Sequence, residues 1–432
     1  MEKKPAAINT IFLFMILSAV VVAASNGTME QLTKASFESA KAAVSLAIAL
    51  IGPMALWLGL MRVAEDGGLL KIIARIIRPL MTKLFPDVPP EHPAMSAMIM
   101  NMSANALGLG NAATPIGIKA MKELQKLSSK KDTATNAMCL FLAINTSNVT
   151  LLPLGVITVR AAAGAREPAS ILLPTLIATS ISTFVAILSA KILEKRSKNP
   201  ELIDTDKHED KYEKIDPQTK PYKPLLRQKI LIFLFLILFF SIILLRFKEI
   251  SLRGLGFLDI ISNTSSWIIP VLICSILIFG YLRGVHVYES LTEGAKEGFE
   301  TTVKIIPYLV AIFVAIGMLR SSGALDFFVS AVSPLVQFLG MPPEAMIMAL
   351  MRPLSGSGAF GIMSEIVSKE PNSYLSFLVS IMQGSTETTF YVLAIYFGSV
   401  GIKVTRHALT AALLADTAGI LASLWISKIF FY

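Results

Sequence analysis

Glu387 stands in Ser385-Thr386-Glu387-Thr388-Thr389, and it is the only charged residue between positions 371 and 402. A carboxylate in so apolar a run can hold a proton or a cation, or accept hydrogen bonds from a solute. The hydroxyls of Ser385, Thr386, Thr388 and Thr389 add oxygen around it. At the centre of a membrane helix a charge costs about 2.5–3.5 kcal/mol by insertion scales, so one kept there is by default functional. The competing reading is an internal salt bridge, with Arg352 as partner; a gating pair would be both. Either way the carboxylate is expected to be buried, with Arg352 and desolvation acting on it in opposite directions. Asp416, the only charge between His407 and Lys428, either shares that cavity or pairs with a basic neighbour.

A second group of polar residues carries no charge. Asn145-Thr146-Ser147-Asn148 interrupts another apolar run, and Asn101, Asn105, Asn111 and Ser357 lie near two Gly-x-Gly sequences, Gly108/Gly110 and Gly356/Gly358. Such side chains can hydrogen-bond a polar solute, or simply tie helices together. Alone each is more often such a tie, but their grouping around breaks puts the two readings on an equal footing, because discontinuous helices expose backbone groups where transporters hold substrates and ions.

The elements that position these residues follow from composition. Of 432 residues, 54% are hydrophobic and 16% charged. Charge-free runs cover residues 42–61, 133–159, 170–190 and 260–282. About 20 apolar residues cross a bilayer as a helix. Runs this apolar are not barrel strands, which alternate. The fold class is therefore an all-α integral membrane protein. The net charge of +9 sits mainly at the ends of apolar runs, as the positive-inside rule requires, which argues against a nucleic-acid partner. Cys139 and Cys274, each in an apolar run, form neither a disulfide framework nor a zinc spacing, and His92, His208, His286 and His407 are scattered. No metal and no cofactor is expected.

Residues 37–193 and 299–431 match in order. Phe37-Glu38 answers to Phe299-Glu300, Pro89-Pro90-Glu91 to Pro342-Pro343-Glu344, and Met98-Ile99-Met100 to Met346-Ile347-Met348. Gly-x-Gly comes ten residues after the first of these methionines in both halves, and the polar breaks and Arg166/Arg406 follow in the same order. This is an internal repeat. Five basic residues fall in 62–83 and five more in 119–131, whereas the corresponding parts of the second half carry only Arg320 and Lys369. Opposite orientations follow: two inverted repeats, a plan common in secondary transporters.

Each repeat is expected to hold a re-entrant helical hairpin and a discontinuous helix, with about nine crossings in all. The first hairpin is placed at residues 93–118, broken by Gly-Leu-Gly-Asn-Ala-Ala-Thr-Pro, although 26 uncharged residues could also cross as one helix. The discontinuous helix is placed at 133–160, broken near Asn145–Asn148 and Pro153. The domains are 1–193, a charged cytoplasmic linker at 194–228, and 229–432. The N-terminus is cytoplasmic and the C-terminus external. Residues 8–24 resemble a secretory signal but are read as a retained helix, since they match the helix at 266–283 ahead of the second repeat.

Gly356-Ser-Gly-Ala-Phe-Gly361 fits GxGxxG, but no strand or ribose-binding acid accompanies it, so glycines that pack hairpin arms explain it better. No P-loop, HExxH or GxSxG is present, and the chain is not read as an enzyme.

Residues 101–115, Asn-Met-Ser-Ala-Asn-Ala-Leu-Gly-Leu-Gly-Asn-Ala-Ala-Thr-Pro, resemble the spore maturation protein A family. Arg352-Pro-Leu-Ser-Gly-Ser-Gly-Ala-Phe-Gly361, with Gly384-Ser-Thr-Glu-Thr-Thr-Phe-Tyr391, resembles spore maturation protein B. The chain looks like the two fused. Both belong to the nucleoside-recognition, or Gate, class, and the resemblance implies a bacterial inner-membrane protein of spore-maturation type. The functional expectation is a transporter-like protein for a small polar solute, nucleoside-like solutes included, with a coupling cation or proton and self-association open. The alternative is a non-transporting membrane scaffold that regulates an envelope or spore-cortex process.

Overall fold

The computed structural model describes residues 7–108, 110–195, 241, 257–327, 330 and 339–431. The linker and the helix expected over 230–247 lie, but for residues 194, 195 and 241, outside the described residues. Those described fold into helices and short connections. The first half comprises α1 (Ala7–Asn26), α2 (Met29–Asp66), α3 (Leu69–Leu84), α4 (Pro93–Ala106), α5 (Gly110–Lys126), α6 (Asn136–Ser147), α7 (Leu154–Ala162), a short 3-10 turn (Pro168–Ile171) and α8 (Leu172–Glu194). The second comprises α9 (Phe257–Leu282), α10 (Val287–Ser322), α11 (Pro343–Met351), α12 (Gly356–Lys369), α13 (Tyr374–Ser385), α14 (Thr389–Gly398) and α15 (Ala408–Phe430).

The halves match element by element. A long helix (α2, α10) precedes a helical hairpin (α4–α5, α11–α12). An interrupted helix follows (α6/α7, α13/α14), then a long closing helix (α8, α15). The segment opposite α3 includes residues 331–338, outside the described residues. α2, α8 with its 3-10 turn, α10 and α15 are long and apolar enough to cross a membrane. Outward-facing Leu13, Phe14, Phe184 and Trp425 leave an apolar surface suited to lipid.

α2 extends well beyond the charge-free run at 42–61. It starts after Gly27 (φ 68) and runs 38 residues, about 57 Å at 1.5 Å each. Its first turns carry Glu30, Lys34, Glu38 and Lys41, and the Lys34–Glu38 pair closes at 3.9 Å, one turn apart. The apolar run defines what the bilayer covers, but nothing in the polar segment stops the helix. In the first hairpin the break falls at Leu107-Gly108, where Gly108 takes φ 76, a conformation glycine adopts without steric cost. Pro115, counted with that breaker, sits inside α5; neighbouring helices can accommodate such a proline in a membrane bundle.

α2 and α10 pack along their length through small residues. A Cβ on Gly298 would fall 2.6 Å from Ala55 Cα, and one on Gly294 2.5 Å from the Leu58 carbonyl oxygen. With no water to drive helices together, this close backbone approach supplies the association. The packing is reciprocal. α1 lies on α10 and α9 on α2; α6 touches α8 and α15, and α13 touches α15 and α8.

Candidate functional site

Four helix breaks meet at the centre. The first hairpin tip joins the first interrupted helix through Leu151 N–H to the Ala106 carbonyl, at 2.9 Å. The second tip joins the second interrupted helix through Phe390 N–H to the Pro353 carbonyl, at 3.1 Å. The two interruptions touch directly, Glu387 N–H donating to the Thr146 carbonyl at 2.7 Å. Each break leaves backbone groups that its own helix no longer satisfies, and the breaks satisfy one another.

Between them lies a cavity of about 300 Å³, at the lower end of the range for small-molecule sites. Asn105, Gly108, Asn148, Arg352, Gly356 and Glu387 line it, so six of the sequence-derived residues converge. Gln383 and Gly384 border it as well.

Arg352 closes α11 and is buried, its side chain only 3% exposed. Its Nη2 stands 3.8 Å from Glu387 Oε2, and its Nη1 reaches Thr388 Oγ1 at 3.4 Å. Its Nε has no hydrogen-bond partner. The expected partner is therefore present, but the burial is reversed. The Glu387 side chain is 54% exposed, because the extended backbone at Thr386 (φ −142, ψ 169) ends α13 and directs the next side chain to the cavity. The cation, enclosed at the hairpin tip, carries the desolvation that sequence reasoning assigned to the carboxylate.

Asp416 is buried in α15 and accepts from Thr389 Oγ1 at 2.7 Å, while its Oδ1 has no hydrogen-bond partner. Thr386 is buried, with Oγ1 also unpartnered. Other residues of the breaks turn away from the cavity. Thr146 and Ser147 donate to the Ala143 carbonyl, and Ser385 to the Met382 carbonyl, in each case within the residue's own helix. Ser357 lies 3.5 Å from the Ser355 hydroxyl, and Gly358 N–H donates to Ser355 Oγ, capping α12. Gly110 opens α5; the side chain of Asn111 lies outside the described residues.

The remaining asparagines form a network around Tyr396, a residue sequence reasoning missed. Asn101 Nδ2 donates to Tyr396 OH at 3.1 Å and to the Ala113 carbonyl at 2.8 Å. Tyr396 OH donates to Asn145 Oδ1 at 3.2 Å, which also accepts from Asn105 Nδ2 at 2.8 Å. The clue available in the sequence was a lone hydroxyl at the end of the apolar run 392–395. Gln383, also missed, had the same kind of signal: one amide inside α13. Its Oε1 is buried without a partner. Cys139 is buried, whereas Cys274 is exposed. Among the described residues no cluster of His, Cys, Asp and Glu could hold a metal ion.

The profile of the nucleoside-recognition (Gate) family matches residues 47–166 and again 302–403, so the family unit occurs twice. The chain is 44% identical over 191 residues to spore maturation protein A of Bacillus subtilis (strain 168), covering 44% of this chain and 97% of that protein. It is 46% identical over 175 residues to spore maturation protein B of the same organism, covering 40% of this chain and 98% of that protein. A weaker likeness, 30% over 84 residues, links it to the inner membrane protein YjiG of Escherichia coli (strain K12), covering 19% of this chain and 55% of that protein.

Proposed function

Because the chain belongs to the nucleoside-recognition (Gate) family, with spore maturation A and B types together in one polypeptide, we propose that it is a multi-pass membrane transporter that binds a small polar solute in the central cavity. The single observation that carries this reading is the convergence of four helix breaks on a space of about 300 Å³, where Asn105, Asn148, Arg352 and Glu387 stand among apolar side chains such as Leu152, Leu154 and Phe360. Irregular backbone at membrane depth is tolerated only inside protein or beside water, and transporters place their sites at such breaks. Nucleoside-like solutes fit the family's description and the cavity's size. Asn105, Asn148 and Arg352 contact the solute, Glu387 borders it as the counter-charge of Arg352, and Thr388 and the Tyr396 network brace Arg352 and Asn105. Asp416, lodged behind the second break, is the candidate for a coupling proton or cation.

The domains run 1–193 and 229–432 around a cytoplasmic linker at 194–228. The halves lie inverted in an inner membrane, with the N-terminus cytoplasmic and the C-terminus external. The reciprocal packing of α1 on α10 and α9 on α2 fits a two-fold relation between the halves, and the basic residues clustered in 62–83 and 119–131 argue for its inverted form. Labelling tests it: Lys126→Cys reacts with an impermeant thiol reagent only from the cytoplasmic side and Lys369→Cys only from outside. Both reacting from one side removes the inversion. For the function, the purified protein in liposomes is screened for solute flux. Flux that saturates and falls on substitution of Arg352 is expected. Silence across nucleosides, nucleotides, amino acids and small organic acids favours the scaffold reading.

A further inference from the structure

Most of the hydrogen-bonding capacity of Arg352 is unused. A guanidinium presents five N–H donors in a rigid fork. Here Nε has no partner, Nη1 makes one long contact at 3.4 Å, and Nη2 sits 3.8 Å from the Glu387 carboxylate. At 3.8 Å the charges balance, but no hydrogen bond forms. Buried polar groups almost always have partners, and a cavity-lining exception calls for an explanation. Next to it, Gly356 lines the same cavity and is the first residue of the 14-residue α12. Ser355 Oγ already accepts from Gly358 N–H, which leaves the first-turn N–H groups ahead of it and the positive end of the dipole for a ligand. A Cβ on Gly356 would fall 2.5 Å from Thr388 Oγ1, so the backbone there can approach only as glycine. The exposed member of the charge pair is Glu387, with room to withdraw.

We propose that the solute bound in this cavity carries an oxyanion, a carboxylate or a phosphate, which occupies Arg352 and the first turn of α12 by displacing the Glu387 carboxylate. This rests on the solute-binding reading above and narrows its substrate class. Glu387 is then a built-in competitor. It neutralises Arg352 when the cavity is empty and yields to a ligand oxyanion that can reach hydrogen-bond distance in bidentate geometry. A neutral nucleoside lacks the anionic group, and a purely cationic solute meets a buried guanidinium and a positive helix end.

The full-length protein in lipid nanodiscs is titrated with probes that differ in charge: uridine 5′-monophosphate against uridine, nicotinate against nicotinamide, and inorganic phosphate and acetate against chloride at equal ionic strength. Tighter binding of an anionic probe than of its neutral partner, by about tenfold or more, is expected. The phosphate and carboxylate arms distinguish the two sources of the oxyanion. Glu387→Gln removes the competitor and tightens that probe several-fold; Arg352→Lys keeps the charge and a partner for Glu387 but loses the fork, and weakens it about tenfold. Equal or tighter binding of the neutral partners overturns the proposal and leaves solute binding standing. Anion binding that neither variant alters also overturns it, since the anion then sits elsewhere. If no anionic probe binds and liposome flux is confined to neutral or cationic solutes, the oxyanion is refuted but transport is not. If no probe binds and no solute crosses, both readings fall.

Discussion

At the first helix break the polar side chains are neutral and, Asn148 on the cavity apart, bound to protein: Asn145 is held by Asn105 and Tyr396, and Thr146 and Ser147 turn back on α6. At the second break the matching positions carry a carboxylate on the cavity, a buried arginine from the adjacent hairpin and, behind them, Asp416. Four residues before each Gly-x-Gly, Arg352 is answered by Ala104 in the first half. The backbones interrupt in the same way, yet only the second half brings charge. Two copies of one scaffold have divided the work, the first fixing geometry by hydrogen bonds and the second supplying the electrostatics that a solute would sense.

The strongest way to break that comparison is to remove the charge. Arg352→Met is expected to cost about 2–5 kcal/mol in solute binding, the range for truncating one member of a buried charged contact, and to abolish measurable flux. Its effect on folding is smaller, because the partner left behind, Glu387, is already more than half exposed. Glu387→Gln leaves buried Arg352 without its counter-charge, but the carboxylate is 3.8 Å away and more than half exposed, so the expected loss in thermal unfolding in detergent is well below the roughly 3–5 kcal/mol of a fully buried pair, while flux changes. A Gln variant that transports normally would remove Glu387 from the mechanism. One that unfolds early would make the pair a strut.

Next in size is a contrast between matched positions. Asn145 and Ser385 stand at the same place in the two breaks. Asn145→Ala leaves Asn105 Nδ2 and Tyr396 OH without their shared acceptor, at about 1–3 kcal/mol for buried polar groups. Ser385→Ala removes only a bond to its own helix, at Met382, and should cost about 1 kcal/mol or less. Comparable losses in thermal stability at the two positions would show that the first break has no special structural role.

How much of this was legible in the sequence depends on the kind of contact. The interrupted helices and the hairpins were legible, because Gly108, Pro153 and the polar runs act on the backbone within a few residues. The pairing of Arg352 with Glu387 was legible too, since they are the only charges in residues 345–364 and 371–402. The direction of burial was not. It depends on where the backbone points after Thr386, which only packing against Thr146 decides. Nor was Tyr396, whose partners Asn101 and Asn145 lie 295 and 251 residues away. A hydroxyl on an apolar helix signals a need for a partner but not which one.

The smallest expected effect lies at the hairpin entrances. The first hairpin starts at His92, whose Nδ1 accepts from Ala94 N–H at 3.1 Å and caps α4; the second starts at Pro342, with no side-chain cap. Only the first cap can titrate. Burial lowers the His92 pKa from its ordinary 6.5; Glu123 opposes that shift and Lys126 adds to it. A ring whose pKa is depressed on folding is neutral in the folded protein near pH 7, and its Nδ1 lone pair is free to cap. The stability it contributes is fully present above the unfolded value of 6.5 and is lost as pH falls through the lower folded value. His92→Ala should therefore cost about 1 kcal/mol at pH 7.5, as loss of an N-cap does. The gap between wild type and variant should close as pH is lowered below 6. Thermal unfolding in detergent across that range reads the difference directly. A gap that stays constant with pH means the imidazole caps nothing, and the two hairpins then differ only at their tips, where Arg352 faces Ala104.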